Sequence, residues 1–157
     1  MGVFGGVIIP SGTFADGYNI SPSIGVEAYY PMDKNIDVVG DFSYTFLTLK
    51  NSGSLVSNEN YYYLELSGGL RMNIVFPEGK FFINLLVGGY DFGVNYTANG
   101  TDYTSSSTSF GLSAGIGVIF PLTRKIELSA QGKFHNIFTP VNTTNYLGFN
   151  GGINYKF

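Results

Sequence analysis

The chain holds a single histidine, His135, in the run Phe134-His135-Asn136-Ile137. Hydrolytic chemistry needs a nucleophile, a base and an orienting acid that converge on one point, and an imidazole is the usual base near neutral pH. Ser113 and Ser129 share a phase with His135 on alternating segments, but alternation alone places neither of them to meet His135 together with a substrate. Paired carboxylates are the other option. Glu65 and Asp91 make such a pair near one end of the fold, a weak signal because acids near a rim are common. The sequence contains no cysteine, which removes thiolate catalysis, thiolate metal sites and disulfides together. Metal-ligand spacing is absent, and Gly115-Ile116-Gly117 reads as packing rather than a phosphate loop. Asn95-Tyr96-Thr97, Asn99-Gly100-Thr101 and Asn142-Thr143-Thr144 are acceptor-like triplets that Asn/Thr-rich loops produce by chance. The sequence therefore nominates no catalytic, cofactor-binding or metal-binding residue, and no cofactor.

The remaining chemistry lies in a small set of charges, since only 12% of the residues are Asp, Glu, Lys or Arg. What those charges do depends on the elements that carry them. With 22 Gly, 12 Tyr and 14 Phe in 157 residues, the composition favours strands and turns over helices. A boundary recurs three times, at Tyr30-Pro31-Met32-Asp33-Lys34, Phe76-Pro77-Glu78-Gly79-Lys80 and Phe120-Pro121-Leu122-Thr123-Arg124-Lys125. Each copy separates two alternating apolar segments and reads as a tight turn, with proline ending the incoming ladder. Longer polar stretches, 10–19, 50–60, 97–106 and 139–144, read as four loops at the opposite end. Eight strands follow, at 2–9, 21–30, 36–49, 61–75, 81–96, 107–120, 126–138 and 145–157. The first is short enough to be irregular.

Alternation sorts each strand into two faces. In the last, Leu147, Phe149, Gly151, Ile153, Tyr155 and Phe157 oppose Tyr146, Gly148, Asn150, Gly152, Asn154 and Lys156. The fourth sets Leu64, Leu66, Leu70, Met72, Ile74 and Phe76 against Tyr63, Glu65, Ser67, Gly69, Arg71 and Asn73. The fifth changes phase, which a bulge near Gly88-Gly89 would repair. An eight-stranded barrel is only wide enough inside for its own side chains, which suits the small and polar face, while lipid accepts the bulky apolar one. The fold class expected is all-β, an eight-stranded antiparallel up-and-down transmembrane β-barrel, with 1–157 as a single domain. No run of apolar residues is long enough for a transmembrane helix. Aromatic girdles are expected from Tyr29, Tyr30, Phe76, Phe120, Tyr155 and Phe157 at the turns, and from Tyr61, Tyr62, Tyr96 and Phe138 at the loops.

At the level of layout the whole chain resembles the small outer-membrane barrels of the OmpA/OmpX type, with no family-specific motif. Its terminal segment, Gly151 to Phe157, looks like the C-terminal signal by which barrel-assembly machinery recognises such strands, and the resemblance rests on Ile153, Tyr155 and Phe157. It implies a bacterial outer-membrane location, a secretory signal already removed before Met1, short turns facing the periplasm and long loops facing outside. The implied partners are the lipid bilayer with lipopolysaccharide and the assembly machinery. Nucleic acid is excluded by a net charge of −3 without a basic run.

By the same alternation Glu27, Asp37, Asp41, Glu65, Arg71, Glu127 and Lys133 point into the lumen, where charges must pair. An ion-pair cluster is expected at mid-depth from Asp41, Arg71 and Lys133, with Glu65 above it, plugging the barrel. The functional expectation is a non-enzymatic barrel with a structural or surface-interaction role through its loops, where Tyr103, Thr104 and Ser105-Ser106-Ser107 offer hydrogen-bonding groups. The alternatives are a narrow small-solute channel, a lipid-modifying enzyme dependent on His135, and, most distant, a soluble lipocalin-like carrier.

Overall fold

The computed structural model describes residues 1–50, 60–98, 101–139 and 143–156. Eight strands run in chain order: β1 Gly2–Ser11, β2 Ser21–Asp33, β3 Ile36–Leu47, β4 Asn60–Phe76, β5 Gly79–Ala98, β6 Thr101–Pro121, β7 Ile126–Phe138 and β8 Thr143–Tyr155. One short helix, α1 (Phe14–Gly17), lies between β1 and β2. Each strand pairs antiparallel with its chain neighbour, and β1 closes on β8 from Gly2↔Asn154 to Ser11↔Asn145. Closure satisfies the backbone without an edge inside the barrel wall, which hydrocarbon requires.

The two faces separate as alternation predicts. Leu66, Leu70, Met72, Ile83, Leu85, Ile116 and Ile153 project outward, with Leu66 67% exposed. Inward on the same strands stand Arg71, Asn84 and Asn154, all buried. An apolar exterior around a charged interior is inverted for a water-soluble protein, and its natural surroundings are acyl chains. A shallow concavity of about 900 Å³ lies on this outer wall, where Gly5, Gly151 and Ala130 stand in one row.

Four local expectations are corrected. Strand β1 is regular, paired continuously with β2 and β8. There is no bulge at Gly88-Gly89, because the ladder Ser67↔Gly88, Leu66↔Gly89, Glu65↔Tyr90 is unbroken. Tyr90 and Phe92 instead continue the inward face of Phe82 and Leu86, so the lumen itself turns apolar toward the loops. Residues 97–106, expected as loop, mostly extend β5 and β6, which pair as far as Ala98↔Thr101. Proline does not stop the first ladder either: Pro31 pairs with Asp37, and the register slips between Pro31 and Asp33.

The girdles need revision too. Tyr30, Phe120, Tyr155 and Phe138 face outward and exposed. Tyr29 faces inward, its hydroxyl donating to Glu127 at 3.2 Å, and Tyr61 lies on the inward phase of β4, its ring 6.3 Å from that of Tyr18. The loop-side girdle is instead built from Tyr44 and Tyr62, stacked at 5.8 Å, with Phe46, Phe110 and Phe138. Phe157 and the side chain of Tyr96 lie outside the described residues.

Glycines make room for the bulky inward rings. A Cβ on Gly111 would sit 2.6 Å from Cε2 of Tyr90 and 2.9 Å from the carbonyl oxygen of Asn136. Gly111→Val is therefore expected to lower stability by about 1–3 kcal/mol, read as a fall in the urea midpoint for unfolding from lipid vesicles. Gly40→Ala, where nothing lies within 4 Å, should leave that midpoint unchanged.

Candidate functional site

The lumen holds the charged residues singled out by sequence, and alternation on four strands, β2, β3, β4 and β7, brings them together from the turn end upward. Lowest, Lys156 and Glu127 pair at 2.5 Å, and the Asn73 amide donates to Asp37 at 2.7 Å. Above them Arg71 donates to Glu27 at 2.6 Å, with its guanidinium 4.1 Å from the ring centroid of Phe82. Lys133 donates to Asp41, also at 2.6 Å. Thus Asp41 and Lys133 form one pair, while Arg71 takes Glu27 rather than Asp41. All four are buried.

Glu65 stands apart from both pairs. Its carboxylate accepts from Ser67 at 2.9 Å, Ser43 at 3.3 Å and the Tyr90 hydroxyl at 3.5 Å, and Nδ1 of His135 lies 3.7 Å away. Hydroxyl donors can satisfy a buried carboxylate without a cation.

Above Glu65 the lumen becomes aromatic. Tyr63 and Tyr146 share a 2.6 Å hydrogen bond between their hydroxyls, Tyr63 stacks on Tyr90 at 5.8 Å, and the His135 ring stacks on Tyr146 at 4.2 Å. Ile8 and Ile137 complete the buried cluster, and Phe14, Leu47 and Phe92 pack against it. Phe14 comes from α1, whose position over the barrel mouth is fixed by contacts to Phe92 at 5.9 Å and Tyr146 at 6.4 Å. Beside it, burial pushes the Tyr18 phenol above its ordinary pKa, so Tyr18 stays neutral and contributes no charge to the mouth.

These contacts decide what chemistry the interior can do. Ser113 lies directly across the β6–β7 ladder from His135, a neighbour that alternation within single strands could not assign. Yet the Ser113 hydroxyl makes no hydrogen bond to the ring, and both residues are buried beneath the tyrosines. Ser129 is further down β7. Glu65 points inward, whereas Asp91 lies on the opposite phase of β5 and accepts from Thr108 at 2.9 Å, so these carboxylates do not converge. The cavity bounded by Ser23, Ser43, Thr45, Glu65, Lys133 and His135 is about 10 Å³, the space of one water molecule. Among the described residues no group of three metal-ligating side chains occurs.

The C-terminal pattern is placed in part. Ile153 and Tyr155 face outward on β8, and Phe157 is not among the described residues.

Above the barrel, β5 and β6 continue as a two-stranded ribbon. Pairing of β6 with β7 begins only at Phe110↔Phe138, so among the described residues 101–109 have a partner strand on one side alone. That stretch spans on the order of 30 Å. Two cross-strand bonds brace it, Thr104 to Asn95 at 2.8 Å and Thr108 to Asp91 at 2.9 Å, and the side chains from Tyr103 to Thr108 are exposed.

No family model matches the sequence, and no curated protein matches it. Solved structures do share its fold. Neisserial surface protein A superposes with a TM-score of 0.78 at 15% identity, covering 99% of this chain and 95% of that one. Ail, the attachment invasion locus protein of Yersinia pestis, gives 0.66 at 16% identity over 99% and 95%. The complex of Ail with the heparin analogue sucrose octasulfate gives 0.64 at 14% over 99% and 94%. The likeness establishes a shared architecture, the small eight-stranded outer-membrane β-barrel.

Proposed function

We propose that this chain is a non-enzymatic barrel of the bacterial outer membrane, closed inside and used outside, with the β5–β6 ribbon as its interaction element. The observation that carries this reading is the edge of β6 from residue 104 to 109, which among the described residues has β5 as its one partner strand. An exposed strand edge presents backbone N–H and C=O groups in register, which an extended polypeptide can join as a further strand. The described part of this edge lacks the usual defences: no proline and no lysine stand between 101 and 109.

A water-sized cavity beneath an aromatic layer supports this reading over a channel, and the burial of His135 and Ser113 supports it over a lipid-modifying enzyme. The heparin analogue held by Ail suggests a rival ligand class, sulfated glycans. The loop end of this chain favours polypeptide instead, since Lys50 is its one basic residue while Asp16, Glu59, Asp91 and Asp102 all belong to loop-end segments. Lipopolysaccharide phosphates would meet that end through divalent cations. With Ile153, Tyr155 and Phe157 read as an assembly signal, the loops face outward and the turns face the periplasm.

The test is an array of 12-residue peptides tiled over extracellular proteins, probed with the refolded barrel. Binding to strand-forming peptides is expected. Because alternate residues of an antiparallel strand bond to opposite sides, Ser105→Pro and Ser106→Pro are compared. One removes an outward donor and should abolish binding with the barrel fold retained. Equal binding by wild type and both variants would sink the reading.

A further inference from the structure

The three short turns share a pattern that neither the lumen nor the ribbon uses. Pro31-Met32-Asp33-Lys34, Pro77-Glu78-Gly79-Lys80 and Pro121-Leu122-Thr123-Arg124 each place a basic residue three positions after proline. Lys125 and Lys156 lie at the same end, Lys125 with its Nζ 5.8 Å from the ring centroid of Tyr155. Five of the eight basic residues of the chain are thus gathered at the turns, against Arg71 and Lys133 in the lumen and Lys50 at the loops.

Little opposes that charge locally. Outside the lumen the turns carry two acids, Asp33 and Glu78. The Asp33 carboxylate accepts the backbone N–H of Lys34 at 2.7 Å, closing its own turn. Lys156 is neutralised by Glu127, but among the described residues no carboxylate lies within 4.0 Å of the charged groups of Lys34, Lys80, Arg124 or Lys125. Exposed apolar side chains stand beside these cations: Tyr30, Met32, Phe120 and Leu122. Apolar groups next to a ring of cations match the profile of a leaflet boundary, where acyl chains give way to phosphates.

We propose that the turn end is a docking surface for anionic glycerophospholipids, with Lys34, Lys80, Arg124 and Lys125 holding head-group phosphates around the barrel rim. The proposal stands whichever way the barrel inserts. Only the identification of that leaflet as the periplasmic one rests on the orientation proposed above, and protease access to the loops in sealed vesicles tests the orientation separately.

The experiment uses the full chain in phosphatidylcholine vesicles doped with spin-labelled phosphatidylglycerol or spin-labelled phosphatidylcholine, reading the motionally restricted fraction by electron spin resonance. Phosphatidylglycerol should be enriched at the barrel by at least about fivefold at low salt, and the preference should collapse near 1 M salt. The variant K34Q/K80Q/R124Q/K125Q should lose the preference while keeping heat-modifiable gel mobility. If that variant does not refold, Lys80→Gln alone should show a partial loss. Equal association of the two lipids with wild type, or a preference kept in the fourfold variant, overturns the proposal. So does binding of a soluble polyanion by the detergent-solubilised protein without any lipid preference, which would give the turn end to a soluble partner.

Discussion

Lys133→Met is expected to cost the barrel about 3–5 kcal/mol, because it leaves Asp41 as a buried carboxylate without its cation. The pair is short, 2.6 Å, and both side chains are almost fully buried, 2% and 0% exposed. At most about one water molecule fits in the adjoining cavity, and a neutral water does not offset a buried carboxylate charge. Adding Asp41→Asn to Lys133→Met should recover most of the loss, as a neutral amide in place of the carboxylate removes the stranded charge. Urea titrations of the wild type, two single variants and the double variant in lipid vesicles give the coupling directly. A loss of less than about 1 kcal/mol in Lys133→Met would mean that Arg71 can swing from Glu27 to Asp41. The four groups would then act as one shared cluster rather than two independent pairs.

That distinction marks where sequence reasoning reached its limit. Strand number, turn positions and the facing of Glu27, Asp41, Arg71 and Lys133 were legible because strand periodicity is two and a membrane barrel keeps it over long segments. Which acid meets which base was not. It depends on the stagger between strands, set by closure of the whole barrel rather than by any one segment. The same stagger puts Ser113 opposite His135. The aromatic upper lumen was missed for another reason: Tyr90 and Phe92 broke the expected small-and-polar inner face, and a bulge was inferred in place of a change in lumen character. A usable signal was present in Gly111 and Gly115, which share the inward phase of β6 and leave space for Tyr90 and for the Lys133 stem. Helix α1 carried too little periodicity in four residues to be anticipated.

Two stacked layers fill this lumen, and each is expected to be sufficient alone to close it. The chain has no cysteine, so Ser43→Cys introduces a single thiol next to Glu65, between the ion pairs below and the tyrosines above. In that background a small cationic thiol reagent should not react from either side. Tyr63→Ala with Tyr146→Ala removes the shared hydroxyl bond and two of the three buried tyrosine rings of the upper layer. These truncations should cost about 3–5 kcal/mol each, reduced to the extent that the two rings stabilise each other. The thiol should then label from the loop side only, while bilayer conductance stays at background because Arg71–Glu27 and Lys133–Asp41 still fill the cross-section. Removing both ion pairs, with Glu27→Ala, Asp41→Ala, Arg71→Ala and Lys133→Ala together, should give the mirror result, labelling from the turn side without conductance. Only the combination should conduct. Conductance in the wild type would refute the closed-lumen reading outright, and conductance in either single-layer variant would show that one layer carries the seal and the other merely lines it.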